Sequence, residues 1–96
     1  MPTKRTFLEE LKHSGWFLFE LDGIVYAVDT MGFSTFIDNK QYVCHYAIAP
    51  FNNNEKWKPE ELFNTIDELL EYRLENGSLL KNRLTEIKNI TSIPVG

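Results

Sequence analysis

The sequence contains a single cysteine, Cys44, and no long run of apolar residues. One cysteine excludes a disulfide within the chain, and small exported proteins usually depend on disulfides. The first ten residues carry charges and lack the apolar centre of a secretion signal. A membrane-spanning helix needs about 20 predominantly apolar residues, which no segment offers. We therefore expect a cytoplasmic protein without a membrane partner.

Residue types that perform catalysis are few and scattered. His13 and His45 are the two histidines. Because neighbouring residues of a strand point to opposite faces, Cys44 and His45 cannot form a catalytic dyad, and we interpret Cys44 as a small buried hydrophobic residue. The spacing of these three residues does not match a metal site. The five glycines are isolated, which excludes a glycine-rich phosphate loop. The sequence predicts no catalytic residue, metal or cofactor, and therefore a protein that is not an enzyme.

Basic residues are outnumbered by acidic ones. The chain has 10 Lys and Arg against 14 Asp and Glu, for a formal net charge of −4. Proteins that bind nucleic acids through phosphate contacts need clustered positive charge. The charge balance therefore argues against direct, phosphate-driven binding of nucleic acid.

The composition is that of a folded protein. A hydrophobic share of 43% with 25% charged residues is typical of globular chains and differs from disordered ones. A length of 96 residues corresponds to one domain, which we expect to span residues 1–96. A core of this size is thin, and large aromatic side chains compensate for it.

The N-terminal half carries clear local signals. Thr6 and Glu9 form a capping box that predicts a short helix over residues 7–13. Asp22-Gly23 is a strong hairpin signal between two strand-like segments, 16–21 and 24–29. Two-residue turns at Met31-Gly32 and Asn39-Lys40 predict further strands over 33–38 and 41–49. Together these segments predict a four-stranded antiparallel meander.

The C-terminal half resembles two helices. Pro59 suits a first helical position, and an apolar stripe with an acidic opposite side predicts a helix over 59–75. Ser78 is a candidate cap for another helix, whose stripe is Leu80, Leu84, Ile87 and Ile90. The polar stretch 52–56 is expected to be a loop and 92–96 a frayed tail. The predicted fold is α+β, in the order α-β-β-β-β-α-α, with the two C-terminal helices packed on one sheet face.

The second face of this predicted meander is unusually apolar. The C-terminal helices can cover one face, but the helix at 7–13 is too short to cover the other. An uncovered apolar patch on a small protein usually marks a contact surface. We expect a homodimer interface, or a site for another protein or a small apolar ligand, unless the strand register differs and the first helix covers more. Its candidate residues are Trp16, Leu18, Val25, Ala27, Phe36, Val43 and His45.

The leading functional prediction is a non-enzymatic interaction or regulatory module, and two alternatives remain. The first is an acidic inhibitor or decoy that occupies a basic nucleic-acid-binding site through the acidic face of the 59–75 helix. Ordinary solvent exposure is the stronger explanation of such a face. Its residues are Glu60, Glu61, Asp67, Glu68, Glu71 and Glu75. The second alternative is a small hydrolase or ligand-binding protein using His45, which the predicted register places opposite Ser34.

Overall fold

A computed structural model describes residues 6–51 and 57–92. Its two α-helices and antiparallel sheets confirm the α+β class. The predicted loop at 52–56 and most of the predicted tail, residues 93–96, lie outside the described residues. In chain order the elements are α1 (Phe7–His13), β1 (Trp16–Leu21), β2 (Ile24–Asp29), β3 (Phe33–Ile37), β4 (Lys40–Cys44), β5 (Tyr46–Pro50), a 3-10 turn (Pro59–Glu61), β6 (Leu62–Phe63), α2 (Ile66–Leu70), two further 3-10 turns (Leu80–Asn82, Leu84–Glu86) and β7 (Lys88–Ser92).

Helix α1 has the predicted bounds and the predicted cap. The Thr6 hydroxyl accepts a hydrogen bond from the Glu9 backbone N–H, and the Glu9 carboxylate accepts one from the backbone N–H of Thr6. These two bonds satisfy donors that a helix leaves free at its start. Phe7 and Leu11 are buried, so the short helix contributes two large side chains to the core.

The first hairpin, formed by β1 and β2, is confirmed residue by residue. Leu21 pairs with Ile24, Phe19 with Tyr26, and Phe17 with Val28. Asp22 and Gly23 both have positive φ, at 56° and 77°. Two positive φ values define the turn type whose twist matches that of the flanking strands.

The second hairpin, formed by β3 and β4, has a different turn from the predicted one. Asp38 and Asn39 take the positive φ values, 52° and 67°, and Ile37 pairs with Lys40. Asparagine and aspartate adopt this backbone region more readily than lysine does, so the turn lies one residue earlier. The pairing therefore shifts by two residues, and an even shift leaves each side chain on its predicted face.

The predicted four-stranded meander is wrong. β2 pairs with β5 and not with β3, so the chain leaves the main sheet after Asp29, forms the β3–β4 hairpin and returns at Tyr46. The predicted strand over 41–49 is accordingly two strands separated at His45, whose N–H donates to the Phe63 carbonyl at 3.1 Å. The strand order of the main sheet is β6-β5-β2-β1-β7.

The neighbour of β2 lies inside the main sheet, and this position suits β5 better than β3. β5 supplies Ala47, Ile48 and Ala49, all of which are buried. Ile48 lies opposite Val28, and Ala49 lies opposite Ala27. β3 carries Ser34 and Thr35 instead, and none of its residues is fully buried.

Both predicted C-terminal helices are wrong. The 59–75 segment contains a 3-10 turn, the short strand β6 and α2, which begins only after Thr65 caps it by accepting from the Glu68 N–H at 3.1 Å. Beyond Ser78 the chain makes two 3-10 turns and then forms β7, which includes Ser92 and pairs with β1. The free edge of β1 needs hydrogen-bond partners, and this requirement overrides the helical spacing of the stripe.

The core lies on one face of the main sheet. Phe17, Phe19 and Tyr26 project into it, and Phe19 stacks on Tyr26 with ring centres 5.1 Å apart. Phe7 of α1 meets Phe17 and Phe19 edge-on, at 5.6 and 5.2 Å. On the same face Leu69, Tyr72, Leu74 and Leu80 complete the cluster. The apolar residues of the predicted C-terminal stripes therefore reach the core without forming the predicted helices.

Candidate interaction surface

The structure divides the candidate interface between two sheets. The pairing of β1 with β2 places four of its members on the outer face of the main sheet. They are Trp16, Leu18, Val25 and Ala27. Phe36 and Val43 lie on the separate β3–β4 hairpin, and His45 lies in the bend that follows it. The two groups do not share one sheet, so each is considered by itself.

The outer face of the main sheet is largely covered by its own side chains. Ala27 and Ala49 lie side by side on this face and are buried. The Trp16 and Phe51 rings meet edge-on with centres 6.1 Å apart. Trp16 is half-buried, and Val25 and Phe51 are exposed at 40% and 44%. The large apolar side chains of this part of the predicted interface are less exposed than Phe36 and Val43 of the β3–β4 hairpin.

The β3–β4 hairpin, called the arm below, exposes its apolar side chains much more. Phe36 pairs with Gln41, and Val43 pairs with Ser34. Directly paired residues of an antiparallel ladder share a face, so these four residues form one surface, the arm face. Phe36 is 71% exposed and Val43 is 66% exposed. They are the two most exposed large apolar side chains among residues 6–51 and 57–92.

The opposite side of the arm is partly covered. The Phe33 ring lies 5.9 Å from that of Trp57, and the Lys40 ammonium lies 5.2 Å from the centre of the Tyr42 ring. Cys44 is buried as predicted, and this burial raises the pKa of its thiol. A raised pKa reduces the thiolate fraction, so Cys44 is suited to packing and not to nucleophilic chemistry.

The arm also presents unpaired strand edges. In an antiparallel hairpin, residues alternate between pairs that exchange hydrogen bonds and pairs that do not. A two-residue turn makes the Ile37–Lys40 pair the first bonded one, and so Phe36–Gln41 and Ser34–Val43 are non-bonded pairs. Their backbone N–H and C=O groups point away from the hairpin. The arm face and the outward-pointing backbone groups thus belong to the same four residues.

The edges of the main sheet are less accessible. At one edge β6 has only two residues. At the other edge the pairing of β7 with β1 is irregular between Leu18 and Glu20, and Asn89 has a positive φ of 52°. Short edge strands and irregular pairing are common ways to prevent edge-to-edge association. The five-residue strands of the arm carry no comparable irregularity.

The predicted pairing of Ser34 with His45 is wrong. Ser34 lies opposite Val43, because the arm's turn is one residue earlier than predicted. His45 is exposed in the bend between β4 and β5. In the described ranges, 6–51 and 57–92, no three His, Cys, Asp or Glu residues are grouped as a metal site requires. The geometry offers no support for hydrolysis by this pair.

The candidate acidic residues do not form one helical face. Glu61 is buried, and its carboxylate accepts from the Lys58 N–H at 2.8 Å. Glu68 accepts from the Asn64 N–H at 3.1 Å, and Glu71 pairs with Lys81 at 2.7 Å. Three others, Glu60, Asp67 and Glu75, are exposed on separate segments. The continuous 59–75 acidic surface expected from the sequence is absent from this described segment.

Two polar clusters escaped the sequence analysis, because each joins residues that are distant along the chain. Arg83 donates to Asp22 and to Glu86, at 2.6 Å each. These bonds raise the pKa of the Arg83 guanidinium and, through Arg83, lower the pKa of Asp22. Asn76 also donates to Asp22, at 2.9 Å. The cluster therefore fixes the chain beyond α2 to the turn of the first hairpin.

The second cluster surrounds a buried carboxylate. Glu10 of α1 accepts hydrogen bonds from the hydroxyls of Ser14 and Ser92, the latter at 2.6 Å. This second cluster joins α1 to the end of β7, which no local motif could indicate.

An open cleft of about 350 Å³ lies near the first cluster and is lined by Glu20, Asp22, Glu86 and Lys88, among others. All three of these carboxylates already bind side chains of the protein itself, Glu20 by accepting from Asn89 at 3.0 Å.

No protein-family model, curated protein or solved structure matches this chain. No helix in the described part of the chain is long and apolar enough to cross a membrane.

Proposed function

We propose that this chain is a protein-interaction module that contacts its partner through the arm face. The observation that carries the proposal is the exposure of Phe36 and Val43, at 71% and 66%, on one face of a hairpin separate from the main sheet. Leaving large apolar side chains in water forgoes stabilisation that burial provides. A partner that covers one or both of these side chains recovers part of that stabilisation.

The position of these side chains strengthens the argument. Single exposed apolar residues are common on protein surfaces, whereas adjacent ones indicate a contact site more often. Phe36 and Val43 are diagonal neighbours on adjacent strands, within reach of the same partner group. Apolar residues on a hairpin separate from the main sheet can contact a partner without movement of that sheet.

The interface predicted from the sequence is thereby reduced to the arm face. Trp16 and Ala27 remain possible contacts by position, but their surroundings already bury much of their surface. The arm face needs no rearrangement to become available. We therefore assign the contact to Phe36 and Val43 and not to the outer face of the main sheet.

Site-specific photo-crosslinking in the native host tests the proposal. A benzophenone analogue of phenylalanine is placed at Phe36, and the matched control places it at Leu8, an exposed apolar residue of α1. We expect a covalent protein adduct from position 36 and none from position 8. A second variant, Val43→Glu with the analogue at 36, is expected to reduce the adduct strongly. Equal yields from positions 36 and 8 would contradict the proposal.

A further inference from the structure

We infer that the partner is a second copy of this chain, which pairs with the first along the free edge of β3. This inference rests on the proposed function, since it names the occupant of the arm. The two arms would form one four-stranded antiparallel sheet in the order β4-β3-β3-β4. The two-fold axis would pass between the two Thr35 residues.

The composition of the arm's two strands indicates β3 as the edge that pairs with the second copy. Its five residues, Phe33–Ile37, include no charge, glycine or proline, and three of them are aromatic or aliphatic. Natural sheets usually protect such an edge with lysine, proline or a bulge. β4 does carry Lys40. β3 is therefore the edge that composition leaves open to another strand.

The hydrogen-bonding pattern of β3 is compatible with its own copy. Ser34 and Phe36 direct their backbone groups outward, as the arm's register shows. In an antiparallel pair centred on Thr35, Ser34 of one copy lies opposite Phe36 of the other. These two symmetric pairs can exchange about four hydrogen bonds. No sliding of either strand is needed, because a two-fold axis makes the edge complementary to itself.

Pairing would also reduce the exposure of Phe36, the most exposed large apolar side chain of the arm face. On that face Phe36 of each copy becomes a cross-strand neighbour of the other copy's Ser34 and a diagonal neighbour of its Phe36. On the opposite face Phe33 lies across from the other copy's Ile37. The two Phe36 rings thus become neighbours in the pair, whereas Val43 lies one strand further from the axis on each β4.

Charge explains why two copies would meet at the arm. Each chain has a net charge of −4, which opposes close approach of two bodies. Within residues 30–45, however, Asp38 and Lys40 are the charged residues and cancel each other. The arm is therefore a neutral contact point on an acidic molecule. Two five-residue edges supply less area than the roughly 800 Å² per partner of a stable interface, so we expect a concentration-dependent dimer.

A symmetric disulfide tests the pairing. In a Cys44→Ala background, Thr35→Cys places the single thiol at the proposed axis, where non-bonded partners have Cα atoms about 4.5 Å apart. This distance suits a disulfide. The matched control is Tyr42→Cys, since Tyr42 pairs with Thr35 on the same face of the arm and belongs to the other edge. Mild oxidation of the purified chain should yield the Thr35→Cys dimer at least about tenfold faster than the Tyr42→Cys dimer.

A second pair of variants tests the same edge without a disulfide. Ser34→Pro removes an outward N–H from β3, and Gln41→Pro removes one from β4, while the bonds within the arm remain. In sedimentation experiments over a range of concentrations, we expect Ser34→Pro to abolish dimer formation and Gln41→Pro to retain it. Circular dichroism checks that both variants fold.

The outcomes separate this inference from the proposed function. Equal or absent disulfide formation at the two positions, or preferential formation at Tyr42→Cys, would overturn the β3 dimer. If the Phe36 crosslink then yields an adduct with a different protein, the interaction function stands and the second copy is excluded as the partner. If it yields no adduct, both proposals fail.

Discussion

The two hairpins of this protein share a turn and differ in almost everything else. In both, two consecutive residues with positive φ connect strands in a two-residue turn: Asp22-Gly23 in the first hairpin and Asp38-Asn39 in the arm. The first hairpin lies between β5 and β7 and buries Phe17, Phe19 and Leu21 from β1. The arm forms a sheet of its own, and no residue of β3 is fully buried. The same type of turn therefore connects two buried central strands in the first hairpin and two largely exposed strands in the arm.

The largest expected difference between the hairpins is in the free energy of unfolding. Phe19→Ala removes a ring that stacks on Tyr26 and meets Phe7 edge-on, and it should cost about 3–5 kcal/mol. Phe36→Ala removes an exposed ring and should change the value by less than about 0.5 kcal/mol. Urea unfolding at low protein concentration measures both. A large loss from Phe36→Ala would show that the arm packs on the body of the protein.

A smaller difference in the free energy of unfolding is expected between substitutions in the two turns. Gly23 has φ 77°, and a Cβ there meets no atom within 4 Å, so Gly23→Ala should cost about 1–2 kcal/mol through backbone strain alone. Asn39→Ala introduces a similar strain, but the arm can open without loss of the core. We therefore expect Asn39→Ala to change the free energy of global unfolding by less than about 0.5 kcal/mol. The same urea assay measures this change. Equal losses would show that the arm and the main sheet unfold as one unit.

The smallest expected effect concerns the acidic residue that opens each turn. Hydrogen bonding to Arg83 lowers the pKa of Asp22 below its usual value of 3.8. A folded-state pKa below the unfolded one means that the ionised group stabilises the fold above pH 3.8, and that this stability is lost as pH falls through the lower folded value. Melting temperatures measured between pH 2 and 6 should therefore fall less steeply with acid in Asp22→Asn than in the unmodified chain. Asp38→Asn is the control, and an equal flattening there would contradict the role of Arg83.

Local features were predictable from the sequence because they depend on near neighbours. The capping box at Thr6 fixes α1, and the Asp22-Gly23 turn fixes the register of the first hairpin. Even the arm face was identified, since a register error of two residues keeps Phe36 and Val43 together. The sequence thus kept Phe36 and Val43 on one face, although it joined that face to Trp16, Leu18, Val25 and Ala27 of the other sheet.

Long-range pairing was not predictable by the same means. The sequence placed β3 beside β2 because the two follow each other, whereas Ala47 and Ala49 make β5 the better central neighbour. The apolar residues near Leu80 recur at helical spacing, yet residues 88–92 form a strand that pairs with the edge of β1. For the same reason, the separation of the arm from Trp16 and Leu18 could not be foreseen. Competition between distant partners, and not local propensity, decides these features.

The pairing of β7 with β1 also has a consequence for the time course of folding. About 70 residues separate these neighbouring strands, and contacts of such long sequence separation slow folding. During synthesis from the N-terminus, β1 and its hairpin emerge long before β7 is available to cover their edge. The nascent chain therefore passes through a stage in which β1 is itself an open edge. A ribosome-bound chain that ends before Lys88 should bind chaperones more strongly than one that extends past Ser92.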